Sequence, residues 1–264
     1  MQPEIGQPGT IPLISETPQR VPRLWGGWAT IGLGVAIMAI YIIVQSIVAV
    51  AFVIGELVNN PEIIDPQALL KLASNGDLIS AATLASAIVG IGFIVLFIKI
   101  RRGAGLRDYL EIKRISKKSV FILLGVFIGL VVLSSGFDLV WQAPQNTMFM
   151  IDAYNTATWP VLLWIAVIIF APLFEESFFR GFVFVGLRNS RIGAAGTIAV
   201  TSLSWTLLHI QYDIYGMVTI LILGIAFGIV RYKVRSLWST IFLHALWNTI
   251  AMVGTVLYIN GIIQ

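Results

Sequence analysis

The chain has 264 residues, of which 58% are hydrophobic and 11% are charged, with a formal net charge of +4 and a mean hydropathy of +0.90. Ordinary soluble domains carry about 25% charged residues, so this composition indicates an integral membrane protein. The lack of cysteine excludes disulfides, thiol catalysis and Cys-ligated metals. The basic residues sit where membrane topology favours them, so no nucleic-acid partner is predicted.

Residues 1–22 are polar and rich in proline and glycine, which predicts a disordered tail without a signal peptide. Seven apolar stretches follow, each long enough, or nearly so, to cross about 30 Å of hydrocarbon. They are Leu24–Ile54, Leu78–Ile98, Val120–Val140, Trp159–Leu187, Ala194–His209, Ile214–Val230 and Leu237–Tyr258. The predicted fold is an all-α polytopic bundle of about seven transmembrane helices, or eight if one stretch is split or re-entrant. Residues 23–157 form its N-terminal helices and residues 158–258 its C-terminal core.

Lysine and arginine alternate between the predicted loops. The tail, the loop Lys99–Lys118 and the loops after the fourth and sixth stretches are basic, and the other loops are nearly free of cations. The cations of the other basic regions are Arg20, Arg23, Arg188, Arg191, Arg231, Lys233 and Arg235. Positive loops stay in the cytoplasm, so we expect a cytoplasmic N-terminus and a C-terminus outside. Binding of anionic lipid is the alternative role of the loop Lys99–Lys118.

Two glycine pairs with four-residue spacing lie inside the apolar stretches. They are Gly125 with Gly129 and Gly224 with Gly228. Small residues at this spacing let the backbones of two helices approach closely. Both pairs are therefore predicted to be helix contacts.

The fourth stretch contains charged side chains whose insertion into lipid is unfavourable in free energy. Glu175, Glu176 and Arg180 lie between uncharged runs, and each ionised group near the bilayer centre costs roughly 2.5–3.5 kcal/mol. Glu176 and Arg180 are four residues apart, which favours an ion pair, whereas Glu175 has no such local partner. Pro172 cannot donate a backbone hydrogen bond to the carbonyl of Ile168, so a kink beside Glu175 is predicted.

Both histidines of the chain lie within apolar stretches. His209 follows Trp205 by four residues, and Asn248 follows His244 by four, so each pair shares one helix face. At 1.5 Å per residue, Glu175, His209, His244 and Asn248 come to similar depths, about 14–22 Å from the cytoplasmic ends of their helices. The sequence thus predicts one intramembrane polar site.

These residue types suit the activation of water. Burial raises the pKa of a carboxylate towards the range of a general base, and an asparagine amide can stabilise an oxyanion. Glu175, His209 and His244 could equally hold a catalytic Zn²⁺ with one position open for water. A structural Glu176–Arg180 ion pair and histidines that only link helices are the alternatives without chemistry.

The order Glu175-Glu176-x-x-x-Arg180, aromatic-x-x-x-His209 and His244-x-x-x-Asn248 on three hydrophobic segments resembles the CAAX protease and bacteriocin-processing (CPBP) family. The resemblance covers roughly residues 158–250, and Trp205 replaces the more usual phenylalanine. It implies that Glu175 activates water, that Glu176 and Arg180 orient the site, and that Asn248 stabilises the oxyanion. His209 and His244 would bind the water or a metal.

The expected function is therefore an intramembrane endopeptidase with a site open to the cytoplasm. Its substrate would be a peptide or a lipid-modified protein in the bilayer, and the chain would lie in the plasma membrane if the organism is prokaryotic. A non-catalytic immunity or scaffold protein with the same fold is the alternative, and a proton-coupled transporter is a more distant one. A divalent metal and metal-free catalysis both stay open.

Overall fold

The computed structural model describes residues 23–59, 71–141 and 148–263, and every regular element in these ranges is a helix. The tail predicted at residues 1–22 lies outside the described residues. We number the helices α1 (Gly27–Asn59), α2 (Gly76–Ile100), α3 (Leu106–Tyr109), α4 (Lys117–Trp141), α5 (Met148–Thr156), α6 (Pro160–Leu187), α7 (Gly193–Leu207), α8 (Ile214–Val234) and α9 (Leu237–Ile259).

Six of these helices, α1, α2, α4, α6, α8 and α9, are long and apolar enough to cross a membrane. The predicted class, a polytopic all-α membrane bundle, is confirmed. The fifth predicted stretch corresponds to α7, which has only 15 residues. At 1.5 Å per residue α7 is about 22 Å long, short of the ~30 Å of hydrocarbon that a spanning helix has to cross. His209 lies in the turn that follows α7 rather than in the helix.

Helix α8 packs along α7, and its glycines set the distance between them. A Cβ atom on Gly224 would lie 3.1 Å from Cβ of Ser202, and one on Gly228 would lie 3.0 Å from Cγ2 of Ile198. This pair is a close helix contact, as predicted. The other predicted pair, Gly125 and Gly129, differs, because a Cβ atom there would meet no described heavy atom within 4 Å.

Helix α6 contains two π-helical segments, Ala166–Phe170 and Ser177–Val183, on either side of the stretch Ala171–Glu176. In the first, the N–H of Ala171 donates to the carbonyl of Ala166, five residues back. The next bond of that register would run from Pro172 to Val167, but proline has no N–H. The carbonyl that loses its partner is therefore that of Val167 and not, as predicted, that of Ile168.

Phe174 fixes α6 against the first two helices. Its ring stacks on Tyr41 of α1 with centroids 4.1 Å apart and planes inclined by 4°. On α2, a Cβ atom at Gly90 would lie 2.4 Å from the Phe174 ring, so only glycine admits the ring there. Since Phe174 directly precedes the two glutamates, these contacts set the position of the acidic pair in the bundle.

Candidate active site

Glu176 is completely buried and joins α6 to α9. Its Oε1 accepts a hydrogen bond from Nη1 of Arg180 at 3.0 Å, as the four-residue spacing predicts. The same oxygen lies 3.0 Å from Nδ1 of His244. One carboxylate oxygen of Glu176 thus contacts a cation from its own helix and an imidazole from another helix. These contacts indicate a structural role for Glu176 at the centre of the site.

Arg180 is also completely buried and is paired with Glu176, although its Nε has no hydrogen-bond partner among the described residues. Its Nη2 donates to the carbonyl of Gly224 on α8 at 3.2 Å. The guanidinium carbon lies 4.6 Å from the ring centroid of Trp205 on α7 and 5.7 Å from that of Phe227 on α8. Carboxylate, carbonyl and aromatic faces replace the water that a guanidinium loses on burial. Arg180 therefore ties α6, α7 and α8 together.

Glu175 has a different environment from its neighbour. Its side chain is only partly buried, and its Oε2 accepts a hydrogen bond from the indole Nε1 of Trp205. A phenylalanine, which is more usual at the Trp205 position in the family that the motifs resemble, could not donate this bond. The indole holds one carboxylate oxygen and leaves Oε1 of Glu175 available to a substrate or a water.

The two histidines flank the same indole. The ring centroids of His209 and His244 each lie 5.2 Å from that of Trp205, both in edge-on geometry. Nδ1 of His209 is 2.8 Å from the carbonyl of Trp205, just as Nδ1 of His244 faces the carboxylate of Glu176. Both acceptors lack a hydrogen, so each neutral ring carries its proton on Nδ1 and has a basic Nε2. Glu175, His209 and His244 are thus grouped around Trp205.

The site contains donor atoms that suit a metal ion, but in the described structure they do not lie close enough together to hold one. Two Nε2 atoms and a carboxylate oxygen are a donor set that Zn²⁺ favours, and Nδ1 hydrogen bonds of this kind orient metal-binding histidines. Within residues 23–59, 71–141 and 148–263, however, no three His, Asp or Glu side chains lie close enough to hold one ion.

Asn248 makes a hydrogen bond to the backbone of α6. Its Nδ2 donates to the carbonyl of Val167 at 2.8 Å, the carbonyl that the π register and Pro172 leave without a backbone donor. Asn248 therefore supplies a donor to this carbonyl of α6 from α9. A side-chain amide has two N–H groups, so the predicted oxyanion contact would use the second one.

The sequence interpretation missed a second polar cluster, which is separate from the contacts of Glu176. Glu111, in the loop after α3, accepts hydrogen bonds from Arg188 Nη1 and Nη2 at 2.9 and 2.8 Å, and from Arg231 Nη1 at 2.6 Å. Burial alone would raise the pKa of Glu111, but the hydrogen bonds and charges of the two arginines lower it to about 2. Glu111 is therefore ionised at neutral pH and pairs with both cations.

Arg188 and Arg231, which the loop pattern indicated only as topological charges, are thus part of this ion cluster, and the Arg231 side chain is fully buried. Helical periodicity could have indicated that Arg231 is buried. Arg231 lies seven residues after Gly224, on the face of α8 that the glycine pair assigns to helix packing.

The segment that carries these residues also matches a known protein family. Residues 157–250 match the model of the type II CAAX prenyl endopeptidase Rce1-like family. No curated protein and no solved structure matches the chain. The matched range contains the acidic pair with Arg180, both histidines and Asn248. The segment that builds the candidate active site is therefore similar to the type II CAAX prenyl endopeptidase Rce1-like family.

Proposed function

We propose that the chain is an intramembrane endopeptidase in which Glu175 activates the water that hydrolyses a peptide bond of a membrane-associated substrate. The match over residues 157–250 supports a CAAX-type protease within the membrane. The observation that carries the proposal is the contrast between two adjacent carboxylates. Glu176 is buried and bound to Arg180 and His244, whereas Glu175 is partly exposed and, among the described residues, accepts a hydrogen bond only from the indole N–H of Trp205.

In the proposed reaction Glu175 is the base, because Glu176 is already bound to Arg180 and His244. Oε1 of Glu175 takes a proton from water while the water oxygen bonds to the carbonyl carbon of the scissile peptide. The proton then passes from Glu175 to the amide nitrogen as the C–N bond breaks, which yields a carboxylic acid and an amine. General acid–base catalysis by one positioned group contributes about 10²–10⁴ in rate.

The surrounding groups have distinct roles in this proposal. The basic Nε2 atoms of His209 and His244 accept hydrogen bonds from the water and orient it towards the substrate. The second N–H of Asn248 donates to the oxyanion of the tetrahedral intermediate, a contact that is worth several kcal/mol when the donor is preorganised. Glu176 and Arg180 hold His244 and the Trp205 ring in place.

We infer that the site opens to the cytoplasm, since the basic loops predict a cytoplasmic N-terminus. Reporter fusions after Lys71 and after Lys113 should then read opposite sides of the membrane, with the second on the cytoplasmic side. The same side for both fusions, or an outside position for Lys113, would contradict this orientation. A fusion after Arg235, in another basic loop, should read the same side as the one after Lys113.

Cleavage by the purified protein tests the proposed activity. We expect hydrolysis of a membrane-tethered fluorogenic peptide in detergent or liposomes, measured with prenylated and unprenylated forms of one peptide. The assay is run with and without a zinc chelator, and activity that a chelator removes and Zn²⁺ restores would assign the two imidazoles to a metal. A folded protein that cleaves none of a panel of such peptides would contradict the proposal and favour a non-catalytic membrane partner.

A further inference from the structure

Arg231 uses each of its guanidinium nitrogens inside the bundle. Nε donates to the carbonyl of Arg180 at 2.8 Å, Nη1 to Oε2 of Glu111 at 2.6 Å, and Nη2 to the carbonyl of Leu110 at 3.1 Å. The side chain is completely buried. A rigid guanidinium with three acceptors in place is well suited to fixing the relative positions of the groups it bonds.

The carbonyl of Arg180 is available because of the second π-helical segment. At the end of this segment the N–H of Phe184 bonds the carbonyls of Gly181 and Phe179 and bypasses that of Arg180. A bypassed carbonyl that is buried needs another donor. Arg231 supplies it from α8, much as Asn248 supplies one to the carbonyl of Val167 in the first segment.

Glu111 anchors Arg231 from the other side. Its carboxylate also binds Arg188 at the end of α6, and its carbonyl accepts from the N–H of Leu237 at the start of α9 at 3.2 Å. The loop after α3 is thus fastened to the ends of α6 and α9 as well as to α8. A shift of this loop would be passed through Arg231 to the backbone of Arg180.

We propose that Arg231, anchored by Glu111, is a positioning residue that holds the π register of α6 and thereby aims Arg180 at Glu176. Arg180 and His244 share Oε1 of Glu176. A change in the orientation of the Arg180 side chain would therefore also change the position of the His244 imidazole. This inference rests on the proposed function for its effect on catalysis, but its structural content is independent of it.

Activity gives the first test. Arg231→Lys keeps the charge but cannot reach three acceptors, and we expect kcat to fall about 10-fold to 100-fold with KM changed less than about threefold, because small misplacements cost that much. Glu111→Gln keeps the shape and should give a smaller loss in the same direction. Lys233→Gln is the matched control, because it removes an exposed cation of the same helix α8 that is not part of this ion cluster, and kcat should stay within about twofold.

Nitrogen NMR gives the second test, which needs no catalysis. The chain has only two histidines, so ¹⁵N-histidine labelling of His209→Gln leaves the resonances of His244 alone. Added to this background, Arg231→Lys should shift the Nδ1 signal of His244 at fixed pH, and Lys233→Gln should not.

An unchanged His244 signal in a folded Arg231→Lys protein would overturn the inference, whether or not the wild type cleaves peptides. A kcat equal to that of the Lys233→Gln control would overturn it as well. If the wild type cleaves no peptide but the His244 signal moves as expected, the proposed function fails and the positioning contact stands.

Discussion

Glu175→Gln should abolish measurable turnover and leave the fold intact. The substitution keeps the size of the side chain, and the amide oxygen can still accept the hydrogen bond from Trp205. It removes the base, however, which is worth about 10²–10⁴ in rate. The side chain is partly exposed and forms no salt bridge in the described structure, and the buried Arg180 keeps its ion pair with Glu176. We expect kcat on a cleavable peptide to fall by that factor, with an unchanged melting temperature in detergent.

The control for this experiment is Glu175→Asp, which keeps a carboxylate but withdraws it by one methylene group. It should retain a part of the activity, since a displaced base is still a base. Full activity in Glu175→Gln would show that the water is activated by another group and would remove the main support of the proposed mechanism.

Glu176→Gln should lose stability and activity together. Glu176 and Arg180 are both fully buried and bonded at 3.0 Å, and the same oxygen faces His244. Loss of the negative charge leaves the guanidinium uncompensated, and breaking a buried pair in this way costs about 3–5 kcal/mol. We therefore expect a clearly lower melting temperature in detergent and a strong loss of kcat.

A double variant separates the two losses. Glu176→Gln combined with Arg180→Met removes both charges, and buried ion pairs replaced by apolar groups often keep their stability. The double variant should recover much of the melting temperature without recovering kcat, because His244 still lacks its carboxylate. A Glu176→Gln protein that is inactive but fully stable would assign the base to Glu176 instead of Glu175.

Local helical geometry accounts for what the sequence predicted at the site. The spacing of four residues placed Arg180 beside Glu176 and His209 beside Trp205, and both contacts are present. The same spacing put His244 and Asn248 on one face of α9, and both side chains do face α6. Short-range periodicity needs no knowledge of the tertiary structure, so these contacts could be predicted.

The remaining features depend on long-range packing. Two π-helical segments change the backbone register of α6, so the carbonyl that needs a donor is that of Val167, and Asn248 supplies the donor. Arg231 looked like one more cation of a basic loop, because a count of loop charges does not distinguish a buried guanidinium from a hydrated one. Its partner Glu111 is 120 residues away in the chain. No local pattern connects the two residues.

The shortness of α7 has a consequence for the lipid around the protein. Helix α8 has 21 residues and is about 31 Å long, whereas its neighbour α7 measures about 22 Å. The last part of the crossing beside α8 is made by the non-helical residues 208–213, whose backbone groups cannot all bond within the turn. Hydrocarbon does not satisfy such groups, so this mismatch has to be relieved by local thinning of the bilayer or by water that enters beside the turn. His209 lies in that turn, so we expect the bilayer to be thinner or more hydrated beside the candidate active site.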